Sequence, residues 1–190
     1  MNADALSDLV LLLACTASAW LFGAGRPAWR GGMLLLGLAA AAGVLRYSGV
    51  DWALGPHRFM SLLAACVAFL LMLTALRWPE APLAKRPTAV GRFVVLVGGF
   101  GVAVSQMGAP LWAQVVPGVS AMVIAWTMLE RRSVPGVLGS AALLGSFAVA
   151  ALAPNDTVLA GLFNKTQALH YLLALAVVAL GAAAGAMRRA

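Results

Sequence analysis

The sequence predicts an all-α, polytopic membrane protein: a bundle of seven transmembrane helices with its N-terminus outside and its C-terminus cytoplasmic. Three observations predict it. Of 190 residues, 63% are hydrophobic and 10% charged, and burying that much apolar surface in water would require a core larger than such a chain can enclose. The apolar residues fall into seven stretches approaching the roughly 20 helical residues that a hydrocarbon core requires. The basic residues between those stretches alternate in density from one side of the membrane to the other.

Span one runs from about Leu6 to Gly23 and opens with Asp8. Its leading residues include Asp4 and Asp8 but no Lys or Arg, the reverse of a signal peptide's basic n-region, so it is expected to remain as a span. Span two covers Gly31 to Leu45 and closes at Arg46-Tyr47, with the small residues Ala39 to Gly43 permitting close helix approach. Span three, Phe59 to Leu76, follows a loop with Asp51, His57 and Arg58. Between Arg77 and Pro87 three prolines preclude a regular helix, and Arg77, Lys85 and Arg86 suit anionic headgroups. Span four, Phe93 to Met107, holds Gly98, Gly99 and Gly101 and closes with Ser105-Gln106. Span five, Val115 to Leu129, follows Gln114 and places Pro117 in its first turn. Span six is Val137 to Leu152, followed by Asn155 and Asp156. Span seven, Ala168 to Met187, follows Asn164, Lys165 and Gln167 and carries His170 and Tyr171 near its start. Its Gly181 and Gly185 form a small-xxx-small pair expected to pack within the chain. The whole chain, 1–190, reads as a single integral membrane domain.

Lys and Arg concentrate on the cytoplasmic side of membrane proteins. With the N-terminus outside, ten of them are cytoplasmic, from Arg26 through Arg77 and Arg131 to Arg188 and Arg189, and only Arg46, Arg58 and Lys165 are external. Arg-rich, Lys-poor usage points to a bacterial inner membrane. The net charge of +7 is dispersed over loops rather than gathered in a patch, so nucleic acid is not expected as a partner. Composition also excludes a soluble enzyme. Cys15 and Cys66 have no CxxC spacing and read as small buried hydrophobes. Five tryptophans, Trp20, Trp29, Trp52, Trp78 and Trp112, fall near expected interfaces, whereas Trp126 falls deeper in span five.

Nearly all polar groups belong to the outer third of the bundle. The remainder are hydroxyls such as Thr16, Ser18 and Ser61, able to bond to their own helix carbonyls. Without polar residues at the midplane, a proton or ion conduit is disfavoured and a cup open to the outer face fits better. Its candidate ligand-binding residues are Arg46, Tyr47, His57, Asn164, Gln167, His170 and Tyr171. His170, about one turn into span seven, has three roles open to it: metal ligand, base, or donor of a hydrogen bond to a neighbouring helix. His57 approaches it if spans three and seven pack together, and Asp8 would then orient an imidazole or complete a Zn site. Asp8, His57 and His170 are thus the alternative metal set, the first expectation being no metal and no cofactor.

The stretch Leu162-Phe163-Asn164-Lys165-Thr166-Gln167-Ala168-Leu169-His170-Tyr171 resembles the seventh-helix signature of bacterial relatives of the alkaline ceramidase and adiponectin-receptor-like superfamily. Seven spans, an early Asp8 and an external N-terminus are also similar. The resemblance implies Zn-dependent hydrolysis of lipid amides by a Ser, an Asp and three His, of which His170 matches one. The position four residues later is Ala174, and the end of span two reads Val44-Leu45-Arg46-Tyr47, where the resemblance calls for histidines. A noncatalytic, degenerate relative is therefore expected. It would bind a membrane lipid or other amphiphile, the tail within the bundle and the head at Arg46, Tyr47 and His170. The alternatives are a ceramidase-like metal-dependent hydrolase and a structural subunit that meets a membrane-protein partner or a second copy through a small-residue face.

Overall fold

A computed structural model describes residues 2–109, 111–154, 158–159 and 162–187. Helix α1 is Ala3–Phe22 and α2 is Pro27–Tyr47; a 3-10 turn, Asp51–Ala53, leads into α3, Leu54–Arg77. The single turn α4, Pro82–Lys85, precedes a rod made of α5 (Pro87–Phe93), a π-helical turn (Val94–Gly98) and α6 (Gly99–Gln106). Helices α7 (Trp112–Glu130), α8 (Val134–Leu152) and α9 (Lys165–Ala186) complete the fold, with strand β1 (Val158–Leu159) paired antiparallel to β2 (Phe163–Asn164) just before α9. Among the described residues, seven helices are long and apolar enough to cross a membrane, as in an all-α multi-pass membrane protein.

Each long helix starts three to six residues before the expected span. Helix initiators explain the difference. Pro27 and Pro87 are the first residues of α2 and α5, where proline's fixed φ suits a helix and its missing N–H is lost to nothing. Asn2, Ser133 and Asn164 cap α1, α8 and α9 through their side chains, and Asn164 with Gln167 forms a reciprocal capping box. The same tolerance lets Pro82 open α4 in a stretch expected to hold no helix. Pro117, expected in a first turn, stands inside α7, because that helix starts at Trp112.

Six helices form a closed ring in which α1 packs on α2, α2 on α3, α3 on α7, α7 on α8, α8 on α9, and α9 back on α1. The rod of α5 and α6 lies outside the ring against α3, leaving Val95, Leu96 and Phe100 exposed. At one end, hereafter the base, Arg26 donates to the Ala184 carbonyl, Arg77 pairs with Glu130, and Arg131 reaches the Met187 sulfur. Lys85 pairs with Glu80 beside them in sequence. At the opposite end α1 and α9 start together, with Asp4 Oδ1 accepting from Asn164 Nδ2 at 2.8 Å and from Gln167 Nε2 at 2.7 Å. Asn155, Asp156, Arg188 and Arg189 lie outside the described residues.

The base half of the ring is filled by Trp29, Met33, Leu71, Met72, Leu76, Ile124, Met128, Leu143 and Leu180. Trp29, expected at an interface, is fully buried because α2 begins early enough to turn it inward; its indole N–H donates to Ser18 Oγ at 3.3 Å, so its burial leaves no orphaned donor. Ser18 donates in turn to the Val177 carbonyl of α9 at 3.0 Å, not to its own helix, whereas Thr16 does bond back to Leu12. Trp126, expected deep, is exposed and donates to Glu130 near the end of α7. Cys15 and Cys66 are free and buried. Gly181 packs within the chain: a Cβ there would meet Ser18 Oγ at 2.6 Å as well as the Phe22 ring.

Candidate functional site

Inside the ring, at the end opposite the base, lies a cavity of about 610 Å³, within the range of small-molecule sites, about 300–1,000 Å³. Its depth follows α3. His57 and Phe69 both line it, and twelve residues of helix between them correspond to about 18 Å at 1.5 Å per residue. Phe69 and Phe147 meet edge to face, ring centroids 5.1 Å apart, and join α3 to α8 at the floor. Small residues create the space: Ala39 and Ala40 of α2, Ala64 and Ala65 of α3, Ala113 of α7. The exposed residues Gln114 of α7 and Ala150 and Ala151 of α8 also line the cavity, so it opens to the surface there.

The polar wall comes from α1, α3 and α9. His170, the sixth residue of α9, is buried, and its Nδ1 lies 3.1 Å from Ser7 Oγ and 3.4 Å from Asp8 Oδ1. Ser7 Oγ spends its own proton on the Asp4 carbonyl at 2.8 Å, so it accepts from His170, whose Nδ1 carries the hydrogen. This is the hydrogen bond to a neighbouring helix that was one of the three expectations for His170. Ser7 and Asp8 face the same ring nitrogen, whereas a nucleophilic triad places serine and carboxylate on opposite nitrogens. Asp8, expected to open its helix, is its sixth residue and is fully buried, because α1 starts at Ala3. Its carboxyl sits over Gly43 of α2, where a Cβ would stand 2.6 Å from Asp8 Cγ, and its Oδ2 has no hydrogen-bond partner among the described residues. His57 Nδ1 lies 3.2 Å from the Ala39 carbonyl. A carbonyl only accepts, so this nitrogen also carries its hydrogen.

The cavity thus brings together Asp8, His57 and His170, the alternative metal set. They do not fit a Zn ion. Among the described residues no three His, Cys, Asp or Glu side chains meet at a spacing that holds a metal. The other candidates stand off the wall. Arg46 stacks over the Tyr47 ring, 4.7 Å from guanidinium carbon to centroid, and Tyr47 meets His57 edge-on at 5.9 Å. Asn164 and Gln167 serve the capping box and the clamp onto Asp4; Tyr171 packs on Phe163 with centroids 5.2 Å apart. Of the three residues expected to meet an amphiphile head, His170 lines the cavity, whereas Arg46 and Tyr47 are not among its lining residues. Sequence reasoning passed over Asp4 and Ser7. Asn2 followed by an acid at Asp4 is a helix-start pattern that points to them.

A scan against protein-family models, a search of curated proteins and a search of solved structures each returned no match.

Proposed function

We propose that this chain is a noncatalytic protein of the bacterial inner membrane that holds a lipid or other amphiphile in the ring cavity, open to the outer face. One observation carries the reading: the cavity is apolar along most of its wall and floor, its polar lining residues being Asp8, His57, Ser61, Gln114 and His170, a distribution that suits a tail beside a polar head. A serine and carboxyl on one nitrogen of His170, and the absence of a converging metal set among the described residues, weigh against hydrolysis.

Membrane orientation rests on the positive-inside rule. Basic residues crowd the base and its loops, so the base is read as cytoplasmic and the cavity end as external. In a background lacking Cys15 and Cys66, Ser48→Cys should react with a membrane-impermeant maleimide on intact cells and Glu80→Cys only after permeabilisation. Both positions are exposed. Labelling of Glu80→Cys alone on intact cells would reverse the orientation.

The test of the cavity is lipid mass spectrometry on protein purified in lipid nanodiscs. A retained amphiphile should be present in the native chain and lost in Ala65→Phe, which projects an aromatic ring into the cavity. Retention unaffected by Ala65→Phe would place the amphiphile elsewhere.

A further inference from the structure

Among the described residues the cavity reaches the surface on one side. Its lining residues on α1 and α2 are buried and those on α3 and α9 are buried or half-buried, whereas the exposed ones, Gln114, Ala150 and Ala151, all belong to α7 and α8. At the base these two helices press together: a Cβ on Gly136 of α8 would stand 2.8 Å from Met128 Cγ of α7. Toward the other end they part. Gly118 of α7 lines the cavity, yet a Cβ there would meet no heavy atom within 4 Å, and α8 packs far more extensively on α9 than on α7. Ala113, Pro117 and Gly118 form one side of the gap and Phe147 with the two alanines the other, so that Gln114 is its single polar side chain. The level of the gap follows from helix length. Glu130 ends α7 at the base beside Arg131, and at 1.5 Å per residue Gly118 stands about 18 Å and Gln114 about 24 Å along the helix from it. A hydrocarbon core is about 30 Å thick. With Glu130 and Arg131 at one boundary, the gap therefore lies beyond the midplane and short of the opposite boundary, and any tilt of α7 lowers it further.

We infer that the amphiphile is a lipid of the leaflet at the cavity end, and that its acyl chain passes sideways between α7 and α8 into the cavity without leaving the bilayer. The inference rests on the reading of the cavity as an amphiphile site and adds the source and the route of its ligand. Drawing an acyl chain into water costs free energy in proportion to the apolar area exposed. A gap lined by short apolar side chains at the depth of the leaflet's own chains removes that exposure. The same route lets the head stay at the interface while the chain turns inward, and the Gln114 amide at the upper edge of the gap offers the head both a donor and an acceptor.

The experiment uses the full chain in phosphatidylcholine nanodiscs. A phosphatidylcholine with a diazirine midway along one acyl chain is delivered by cyclodextrin, samples are irradiated at intervals, and adducts are located by peptide mass spectrometry. Labelling at the exposed Val95 and Leu96 of the rod reports arrival in the bilayer, and labelling at Phe69 and Leu173 reports entry into the cavity. Ala150→Trp, which sets an indole at the gap, should slow cavity labelling about tenfold relative to rod labelling while leaving its final level unchanged. Ala148→Trp, exposed on α8 but off the cavity lining, should leave that rate within about twofold of the native chain. If Ala150→Trp does not fold, Gly118→Leu narrows the gap from α7, where a Cβ meets open space, and should slow entry likewise. Cavity labelling as fast in these variants as in the native chain overturns the lateral route. If Ala65→Phe then still suppresses the final level of cavity labelling, the amphiphile cavity survives without it. Cavity labelling that persists in Ala65→Phe, or that never rises in the native chain, overturns both readings.

Discussion

The two halves of the ring are built from the same six helices with opposite side-chain volumes. Toward the base, α2 contributes Trp29 and Met33, α3 Leu71, Met72 and Leu76, and α8 Leu143, all buried and filling the centre. Past the Phe69–Phe147 contact the same helices present Ala39 and Ala40, Ala64 and Ala65, and Ala150 and Ala151. On the cavity side these helices present short side chains. Polar groups follow the same division, since the base ties its helices at the rim through Arg26, Arg77 and Arg131, whereas Asp8 and His170 are buried beside the open half. A cavity made by missing volume exists without strain only if a solid half holds the helices apart, so the base is the scaffold and the alanine half the site.

The largest expected effect tests that division directly. Leu71→Ala and Leu173→Ala remove the same atoms, but Leu71 is sealed in the base whereas Leu173 already lines the cavity. The cost of truncation grows with the void it leaves. Leu71→Ala should lower stability by about 2 kcal/mol or more and Leu173→Ala by about half as much, measured by SDS-induced unfolding in mixed micelles. Equal losses would show that the open half is packed as tightly as the base.

Adding volume should reverse the ranking. Gly181→Leu would drive a side chain into Phe22 and Ser18 where α1 and α9 touch, an overpacking that costs about 1–3 kcal/mol. Ala65→Leu enters open space and should stay within about 0.5 kcal/mol of the native chain. A melting temperature that falls as far in Ala65→Leu as in Gly181→Leu would mean that the alanine half closes on itself.

A smaller effect links the site to the helix contact that holds it. At Gly43 a Cβ would fall on the Asp8 carboxyl, so Gly43→Ala should destabilise by about 1 kcal/mol or more and Asp8→Ala should relieve most of that cost. The coupling, read from the double-mutant cycle, should be about 1 kcal/mol; additive single effects would remove Gly43 from the description of the site.

Seven helices were legible because length and hydropathy are properties of single stretches, and the basic segments gave an independent register for counting them. Helix starts were not, since Pro27 and Pro87 read as punctuation although proline at a first turn continues into the helix. His170 stood out as an imidazole in an apolar run and does line the cavity, as does His57. Arg46, Tyr47, Asn164 and Gln167 were equally polar and equally near a helix end, but face Tyr47, His57, the α9 cap and Asp4. Which way a terminal residue turns depends on its neighbour across the ring, and sequence order says nothing of that neighbour. In the small-residue stretch of α2, Gly43 lies hard against Asp8 of α1, the close approach expected there, while Ala39 and Ala40 line the cavity.

The smallest expected effect lies outside the ring. Val95 and Leu96, in the π-helical turn between α5 and α6, are each 71% exposed, so truncating either removes atoms that touch no buried neighbour. In a membrane the apolar surroundings replace those contacts, and the hydrophobic force that penalises exposure in water is absent between helices. Val95→Ala and Leu96→Ala should each remain within about 0.5 kcal/mol of the native chain in bicelles and leave retention of the cavity amphiphile unchanged. Leu71→Ala is the control for a comparable deletion on α3, the helix against which this rod leans. A loss at Val95 approaching that at Leu71 would show that the rod's exposed face is covered by another molecule, and the ring would no longer be the sole source of packing energy.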